Sequence, residues 1–163
     1  MKIRLAAASE IECIERIYES ARAFMKERGN PDQWKEGYPP RALILSDIED
    51  GNLYVCEGDD GTLLGVFFYR FGEDETYLRI YDGEWLNDRP YGVVHRVAVS
   101  ENAHGMGVAA FCFEYAYKAC ANLKIDTHKD NIPMQRALEK YGFSRCGIIY
   151  LASGDERIAY QKA

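Results

Sequence analysis

Residues 93–109 read VVHRVAVSENAHGMGVA, a stretch that combines the signals of a strand, a glycine turn and a helix. Branched apolar side chains at its start predict a β-strand over residues 93–99. A five-residue loop and two glycines, Gly105 and Gly107, then lead into a helix predicted over residues 107–121. The glycines let the backbone approach a ligand, and the unpaired N–H groups of the new helix form a positive dipole end. The stretch therefore predicts an anion site, most naturally for phosphate, although a tight turn without a ligand would have the same sequence.

Further helices and strands are predicted on both sides of this stretch. Ser9 and Glu12 have the spacing of a capping box, with Ser9 as N-cap of a helix that ends near Arg28. A second helix is predicted over residues 41–50. The remaining upstream elements are strands over residues 2–6, 53–57, 63–71 and 76–81. Downstream we predict a strand over 123–127, a helix over 133–140, and strands over 143–151 and 157–161. Strands that meander before a βαβ unit indicate a mixed sheet in an α/β or α+β domain, here one domain over residues 1–163.

Composition and charge exclude several classes of protein. The chain has 163 residues, of which 47% are hydrophobic, and a net charge of -6, which disfavours nucleic acid as a general partner. No apolar run approaches the roughly 20 residues of a membrane span, and no signal peptide is recognisable, so we expect a cytoplasmic protein without a membrane partner. Twelve acidic and only two basic side chains lie between residues 47 and 88, whereas residues 89–163 have seven acidic and ten basic ones. An anionic ligand would prefer the C-terminal part, and a cationic one the middle.

Cysteine and histidine spacing argues against a metal site. The five cysteines contain no C-x-x-C pair, and the three histidines are not near them in any zinc-like pattern. Free thiols in a reducing compartment are the expected state. No cysteine has an adjacent base, so a covalent acyl-enzyme is not expected.

The glycine turn allows two interpretations. One is a dinucleotide fingerprint, Gly105-x-Gly107-x-x-Ala110 with Asp126 further on. Against it, five residues separate the strand from Gly105, whereas a fingerprint glycine follows its strand directly. Only 37 residues remain after Asp126, too few for the rest of a doubly wound sheet, and no strand–helix alternation precedes the turn.

The second interpretation is a family resemblance. His104-x-x-Gly107-x-Ala109 resembles motif A of the GNAT N-acetyltransferase superfamily, [Q/R]-x-x-G-x-[G/A], and follows its strand at the family's spacing. Asn131 and the pair Gly142-Phe143 also stand where the family pattern N-x-x-A-x-x-x-Y-x-x-x-G-F places them. The resemblance covers essentially the whole chain. It implies a mixed, mostly antiparallel central sheet flanked by about four helices, and an enzyme that transfers an acyl group from acetyl-CoA.

The resemblance also implies which residues hold acetyl-CoA. Amides of the turn would bind the pyrophosphate, and the backbone of Val97 and Val99 would pair with the pantetheine arm, near Asn131. The turn residues concerned are His104, Gly105, Met106, Gly107, Val108 and Ala109. A homodimer is the family's habit.

Two departures from the family pattern concern the chemistry. His104 replaces the usual Arg or Gln, which implies a modest or pH-dependent affinity for the phosphates. The tyrosine that the family often uses as general acid for the departing thiolate is replaced by Leu138, and Tyr141 three residues later is the substitute candidate. Water can also protonate a thiolate. A non-catalytic acyl-CoA-binding module is the alternative function if the chemistry has been lost.

The acceptor would be a small-molecule or peptide amine, and its proton needs a base. His95 in the strand before motif A is the main candidate, and a structural histidine bonded within the sheet is the alternative. Strand alternation places Arg96 on the opposite face. Asp82 or Glu84 could serve instead. Two aromatic loops are candidate substrate walls, suited to a cationic amine: they carry Trp34 and Tyr38, and Trp85 and Tyr91.

Overall fold

The computed structural model describes residues 1–163 and contains one seven-stranded sheet in the order β1-β2-β3-β4-β5-β7-β6. The strands are β1 Lys2–Leu5, β2 Leu53–Glu57, β3 Leu63–Phe71, β4 Gly92–Val99, β5 Leu123–Thr127, β6 Ser144–Tyr150 and β7 Glu156–Lys162. The helices are α1 Ile11–Glu27, α2 Arg41–Glu49, α3 Val108–Cys120 and α4 Ile132–Lys140. The mixed sheet with four helices is confirmed, and all but one of the predicted elements are present.

All neighbouring strands are antiparallel except β4 and β5, which are parallel and joined through α3. Helices cover both faces. The first face carries α1 and α2, and Ile14, Ile44 and Val93 belong to its core. The second carries α3 and α4, with Val94, Phe113 and Leu138. Val93 and Val94, which are adjacent in β4, thus pack in different cores, because successive side chains of a strand point to opposite faces of the sheet.

Two local predictions are wrong. Residues 76–81 do not form a strand: Glu75–Tyr77 is a short 3₁₀ helix, and only Tyr81 forms a bridge, with Ile148 of β6. The reason is Asp74, whose Oδ1 accepts hydrogen bonds from the backbone N–H and the hydroxyl of Thr76 and so closes a turn. Before the first helix, Ser9 is not an N-cap but lies inside a short 3₁₀ helix, Ala8–Glu10, whose start is capped by Glu10: its Oε1 accepts from the N–H of Ala7 at 2.9 Å.

None of the four helices combines the length and the apolar character that crossing a membrane would require.

Candidate active site

β4 and β5 are paired only at their first residues, Gly92 with Leu123 and Val93 with Lys124. Beyond this point the two strands separate, and a cleft of about 540 Å³ extends along the opening. Residues 94–97 of β4 and 125–127 of β5 line it. The β5-facing edge of β4 therefore has backbone groups with no strand partner, as an extended ligand that pairs like a strand requires.

A β-bulge interrupts β4 at the cleft. Phe68 of β3 stands opposite His95, but Val66 stands opposite Ala98, so that one residue of β3 faces two of β4. Arg96 is the extra residue, with a left-handed φ of 49°. Its conformation is fixed by an ion pair with Asp47 of α2 at 2.6 Å, and its carbonyl accepts from the Tyr18 hydroxyl of α1 at 3.1 Å.

The bulge overturns the expectation that His95 and Arg96 face opposite sides of the sheet. Both lie on the first face and both contact the ring of Phe68: the His95 ring centre is 5.7 Å from the Phe68 ring centre, and the Arg96 guanidinium carbon is 4.8 Å from it. Strict alternation fails because the bulge inserts one residue into the pleat. Burial raises the pKa of Asp47, although its partner Arg96 opposes this shift.

His95 lies between two carboxylates at the centre of the cleft. Its Nε2 is 2.7 Å from Asp74 Oδ2, and its Nδ1 is 3.9 Å from Asp126 Oδ2. The buried Tyr77 donates its hydroxyl to the same Asp126 oxygen at 2.6 Å. Burial, and then the charge of Asp126, raise the pKa of Tyr77 well above its ordinary value, so the phenol stays a donor.

The proton on His95 can be assigned from Asp74. Burial alone would raise the pKa of Asp74, but hydrogen bonds from His95 and Thr76 outweigh it and hold the pKa well below its usual range. Asp74 is therefore a carboxylate and accepts only. The proton of a neutral His95 must then be on Nε2, which leaves Nδ1, on the Asp126 side, as the acceptor.

Asp74→Asn is expected to destabilise the protein in a pH-dependent way. A carboxyl whose pKa is lowered by folding stabilises the native state above its unfolded pKa, near 4, and this contribution is lost as the pH falls through the folded value. The free energy of unfolding, from urea denaturation at pH 7, 5 and 3, should differ most between wild type and variant at pH 7 and least at pH 3. The exposed Asp88→Asn serves as control. A difference independent of pH would contradict the assignment.

The register of the parallel strands is a signal for Asp126, which the sequence suggested only as part of a dinucleotide fingerprint. In a parallel pair with Val93 opposite Lys124, His95 stands two residues along β4 and Asp126 two residues along β5. Both side chains therefore share a face. Asp74 and Tyr77 had no such signal, because they reach His95 from a loop.

The glycine turn presents free backbone N–H groups at the end of β4. The backbone N–H groups of Gly105, Gly107 and the first three residues of α3 donate to no acceptor in the protein. Gly105 and Gly107 have φ values of 83° and 78°. A Cβ at either position would meet nothing within 4 Å, so the backbone conformation, not crowding, explains these glycines.

His104 lies beside this turn, with its ring centre 4.7 Å from that of Phe24 in α1. The guanidinium carbon of Arg28 is 5.1 Å from the same Phe24 ring. Arg28, just after α1, thus contacts the same Phe24 ring as His104.

The first aromatic loop lines the cleft with Trp34 and Tyr38. Gln33 holds this loop in place, since its Oε1 accepts from Asn30 at 2.9 Å and from Asn131 at 2.8 Å. Trp34 is buried and packs edge-on against Tyr18, with ring centres 5.6 Å apart. The loop is therefore a fixed wall of the cleft.

Asn131 also lines the cleft, where it caps α4: its Oδ1 accepts from the N–H of Met134 at 3.2 Å. Tyr141, at the other end of α4, is not brought to the cleft. Its ring packs against Phe113 in the second core, with ring centres 6.1 Å apart. Leu138 is fully buried in that core.

The second aromatic loop contacts a lysine outside the cleft. Trp85 and Tyr91 do not line the cleft; they enclose Lys124 of β5, whose Nζ is 4.1 Å and 3.9 Å from the two ring centres. Burial lowers the pKa of Lys124 to about 8. Asp82 and Glu84 are exposed in this loop and are likewise outside the cleft lining.

Comparison with known proteins bears on this geometry. A family model described as acetyltransferase (GNAT) family matches residues 14–143. The crystal structure of a GNAT-family acetyltransferase from Streptococcus agalactiae is 37% identical; the match covers 99% of this chain and 94% of that chain, with a TM-score of 0.91. A comparison with curated protein sequences gave no match.

More distant structures share the fold. A GNAT-family acetyltransferase from Listeria monocytogenes is 20% identical, with 99% of this chain and 93% of that chain covered and a TM-score of 0.72. A ribosomal-protein-alanine N-acetyltransferase from Brucella melitensis is 19% identical, with 99% of each chain covered and a TM-score of 0.64. With the family model over most of the chain and a near relative along its whole length, the chain belongs to the GNAT family of acetyltransferases.

Proposed function

We propose that this protein transfers the acetyl group of acetyl-CoA directly to a primary amine. The observation that carries the proposal is the opening between β4 and β5, with free amides at its α3 end and His95 between two carboxylates at its centre. A non-catalytic acyl-CoA-binding module would need the anion site alone. The buried network around His95 favours the enzyme.

The residues around the opening fit acetyl-CoA. The five free amides of the turn and the N-terminus of α3 suit a pyrophosphate. The unpaired edge of β4, which includes Val97 and continues to Val99, suits an amide-containing arm in extended form. Asn131 lines the opposite side of the cleft, beside β5. Acetyl-CoA supplies a thioester carbonyl carbon, to which the amine nitrogen bonds as the C–S bond breaks.

His95 is the proposed proton acceptor. A cationic amine drawn to Asp126 would lie beside the free Nδ1 of His95, 3.9 Å from the carboxylate oxygen. Of the two protons that the ammonium nitrogen loses, one passes to Nδ1 and on to solvent, and the other protonates the CoA sulphur by way of water. Asp74 keeps the imidazole oriented, as a carboxylate partner does for a catalytic histidine. Tyr141 has no part in this scheme.

The first aromatic loop forms one wall of the proposed amine-binding site. Trp34 and Tyr38 line the cleft, and Asp74 and Asp126 supply negative charge next to them. This combination favours an ammonium group. The five cysteines are all free, which supports a reducing compartment and hence the cytoplasm as the place of the reaction.

Calorimetric titration with acetyl-CoA, with NAD as control ligand, tests the donor site. Binding of acetyl-CoA alone, followed by CoA release in a thiol assay with a panel of amines, is the expected result. Binding of NAD instead would restore the dinucleotide interpretation. Binding of acetyl-CoA without turnover of any amine would favour the binding module.

His104→Arg is expected to tighten acetyl-CoA binding about fivefold at pH 8, because a guanidinium gives charge-assisted hydrogen bonds to phosphate at any pH. The measurement is the calorimetric Kd at pH 8, with His104→Gln as an uncharged comparison variant. Equal affinities for wild type and His104→Arg at pH 8 would show that residue 104 does not contact the phosphates.

A further inference from the structure

We infer that the acceptor is an amino acid, and that Arg157 binds its carboxylate while its amine lies at Asp126 and His95. This inference deepens the proposed function and rests on it.

Arg157 is a buried cation without an acidic partner. Its side chain lines the cleft and the residue is 6% exposed. It donates to two backbone carbonyls only, that of Glu156 at 3.0 Å and that of Gln33 at 3.4 Å. No carboxylate oxygen lies within 4.0 Å of its nitrogens, whereas Arg96, the other arginine of the cleft, is paired with Asp47. Burying an unpaired guanidinium is costly, and an anionic ligand would remove that cost.

The unpaired positive charge of Arg157 affects a neighbouring histidine. The pKa of His128 is lowered, first by burial and then by the positive charge of Arg157. Asp32 and Asp155 also line the cleft, but both are exposed at its mouth and neither is paired with Arg157. The guanidinium thus offers its fork of donors to a ligand, in the geometry that matches a carboxylate.

The sheet sets the distance between Arg157 and the amine site. Asp126 of β5 stands opposite Ala159 of β7, and Arg157 lies two residues along β7 on the same face. Such diagonal neighbours are about 7–8 Å apart along the sheet. A carboxylate and a cation at this spacing can hold the two ends of a zwitterion. The anion site of the glycine turn is separate, because it lies beyond the end of β4 at the start of α3, whereas Arg157 belongs to β7 on the far side of β5.

The test compares each of a panel of L-amino acids with its carboxamide, which keeps the amine and the side chain but loses the negative charge. With acetyl-CoA as donor, kcat/KM for the best amino acid should exceed that for its carboxamide at least tenfold. Arg157→Gln should raise the KM for the amino acid about 10- to 100-fold, leave the carboxamide unaffected, and leave the Kd for acetyl-CoA unchanged.

Three further measurements make the test specific. Arg157→Lys should restore part of the preference, since it keeps the charge without the fork. Arg145→Gln, an exposed arginine on β6 outside the cleft, should change nothing. Calorimetry with the N-acetylated amino acid should show binding to wild type and a matching loss in Arg157→Gln, with thermal unfolding confirming that the variant is folded.

The outcomes separate the two proposals. Three results would overturn the inference and leave the proposed acetyl transfer intact. Amino acids and their carboxamides could react equally well, only amines without a carboxylate could react, or Arg157→Gln could keep the wild-type preference for amino acids over carboxamides. Failure of acetyl-CoA to bind, or of every amine to react, would overturn the proposed function and the inference with it.

Discussion

His95→Ala should lower kcat about 10²- to 10⁴-fold, the range that a positioned general base contributes. The Kd for acetyl-CoA should stay within twofold of wild type, because the free amides of the turn and the backbone edge of β4 do not involve the imidazole. Steady-state kinetics with the best amine of the panel gives kcat, and calorimetry gives the Kd.

Two variants make this result specific to the proton acceptor. His95→Gln keeps a polar side chain beside Asp74 but has no basic nitrogen, so its kcat should fall as far as that of the alanine variant. Asp88→Asn removes an exposed charge outside the cleft, and kcat should be unchanged. A kcat within threefold of wild type for His95→Ala would assign His95 a structural role.

Gly83→Ala should be among the most destabilising single-methyl changes in the chain. A Cβ at Gly83 would lie 1.9 Å from the backbone oxygen of Cys146 in β6. The backbone on both sides is fixed here, since Tyr81 and Ile148 exchange two hydrogen bonds of 2.8 Å. Relief of the clash requires the loop to leave β6, at a cost of about 3 kcal/mol of unfolding free energy.

The same loop carries Asp74 and Tyr77 to His95, so turnover should fall together with stability. Gly154→Ala is the matched control, because a Cβ there meets nothing within 4 Å and only its φ of 89° is unfavourable, which costs about 1–2 kcal/mol. Urea denaturation measures both variants. If Gly83→Ala proved no more destabilising than Gly154→Ala, the contact between the loop and β6 would be loose.

Local signals in the chain account for most of the fold, and distant contacts account for the exceptions. The strands and helices were predictable because hydrophobic periodicity and turn residues are local signals, and residues 93–109 show both together with the glycine turn. The strand predicted over residues 76–81 is absent because Asp74 accepts hydrogen bonds from Thr76 and closes a turn, which hydrophobic periodicity cannot predict.

The roles of the aromatic residues were only partly readable. Both loops have the composition of a ligand-binding wall, but Trp34 and Tyr38 line the cleft while Trp85 and Tyr91 enclose Lys124. Composition cannot distinguish the two cases, since either set of rings can pack on an apolar surface or against a cation. Which of these each loop contacts depends on its position in the fold.

The order of the elements, the glycine turn and the family resemblance could be predicted from the sequence alone. These depend on residues close together in the chain, where backbone conformation follows from the side chains present. The chemistry of the cleft depends instead on the tertiary structure. It placed Arg96 on the same face as His95 through a bulge that α1 and α2 fix, and it brought Asp74 and Tyr77 to His95. It also left Arg157 buried without a partner, because pairing between distant charges is set by how the strands and loops pack.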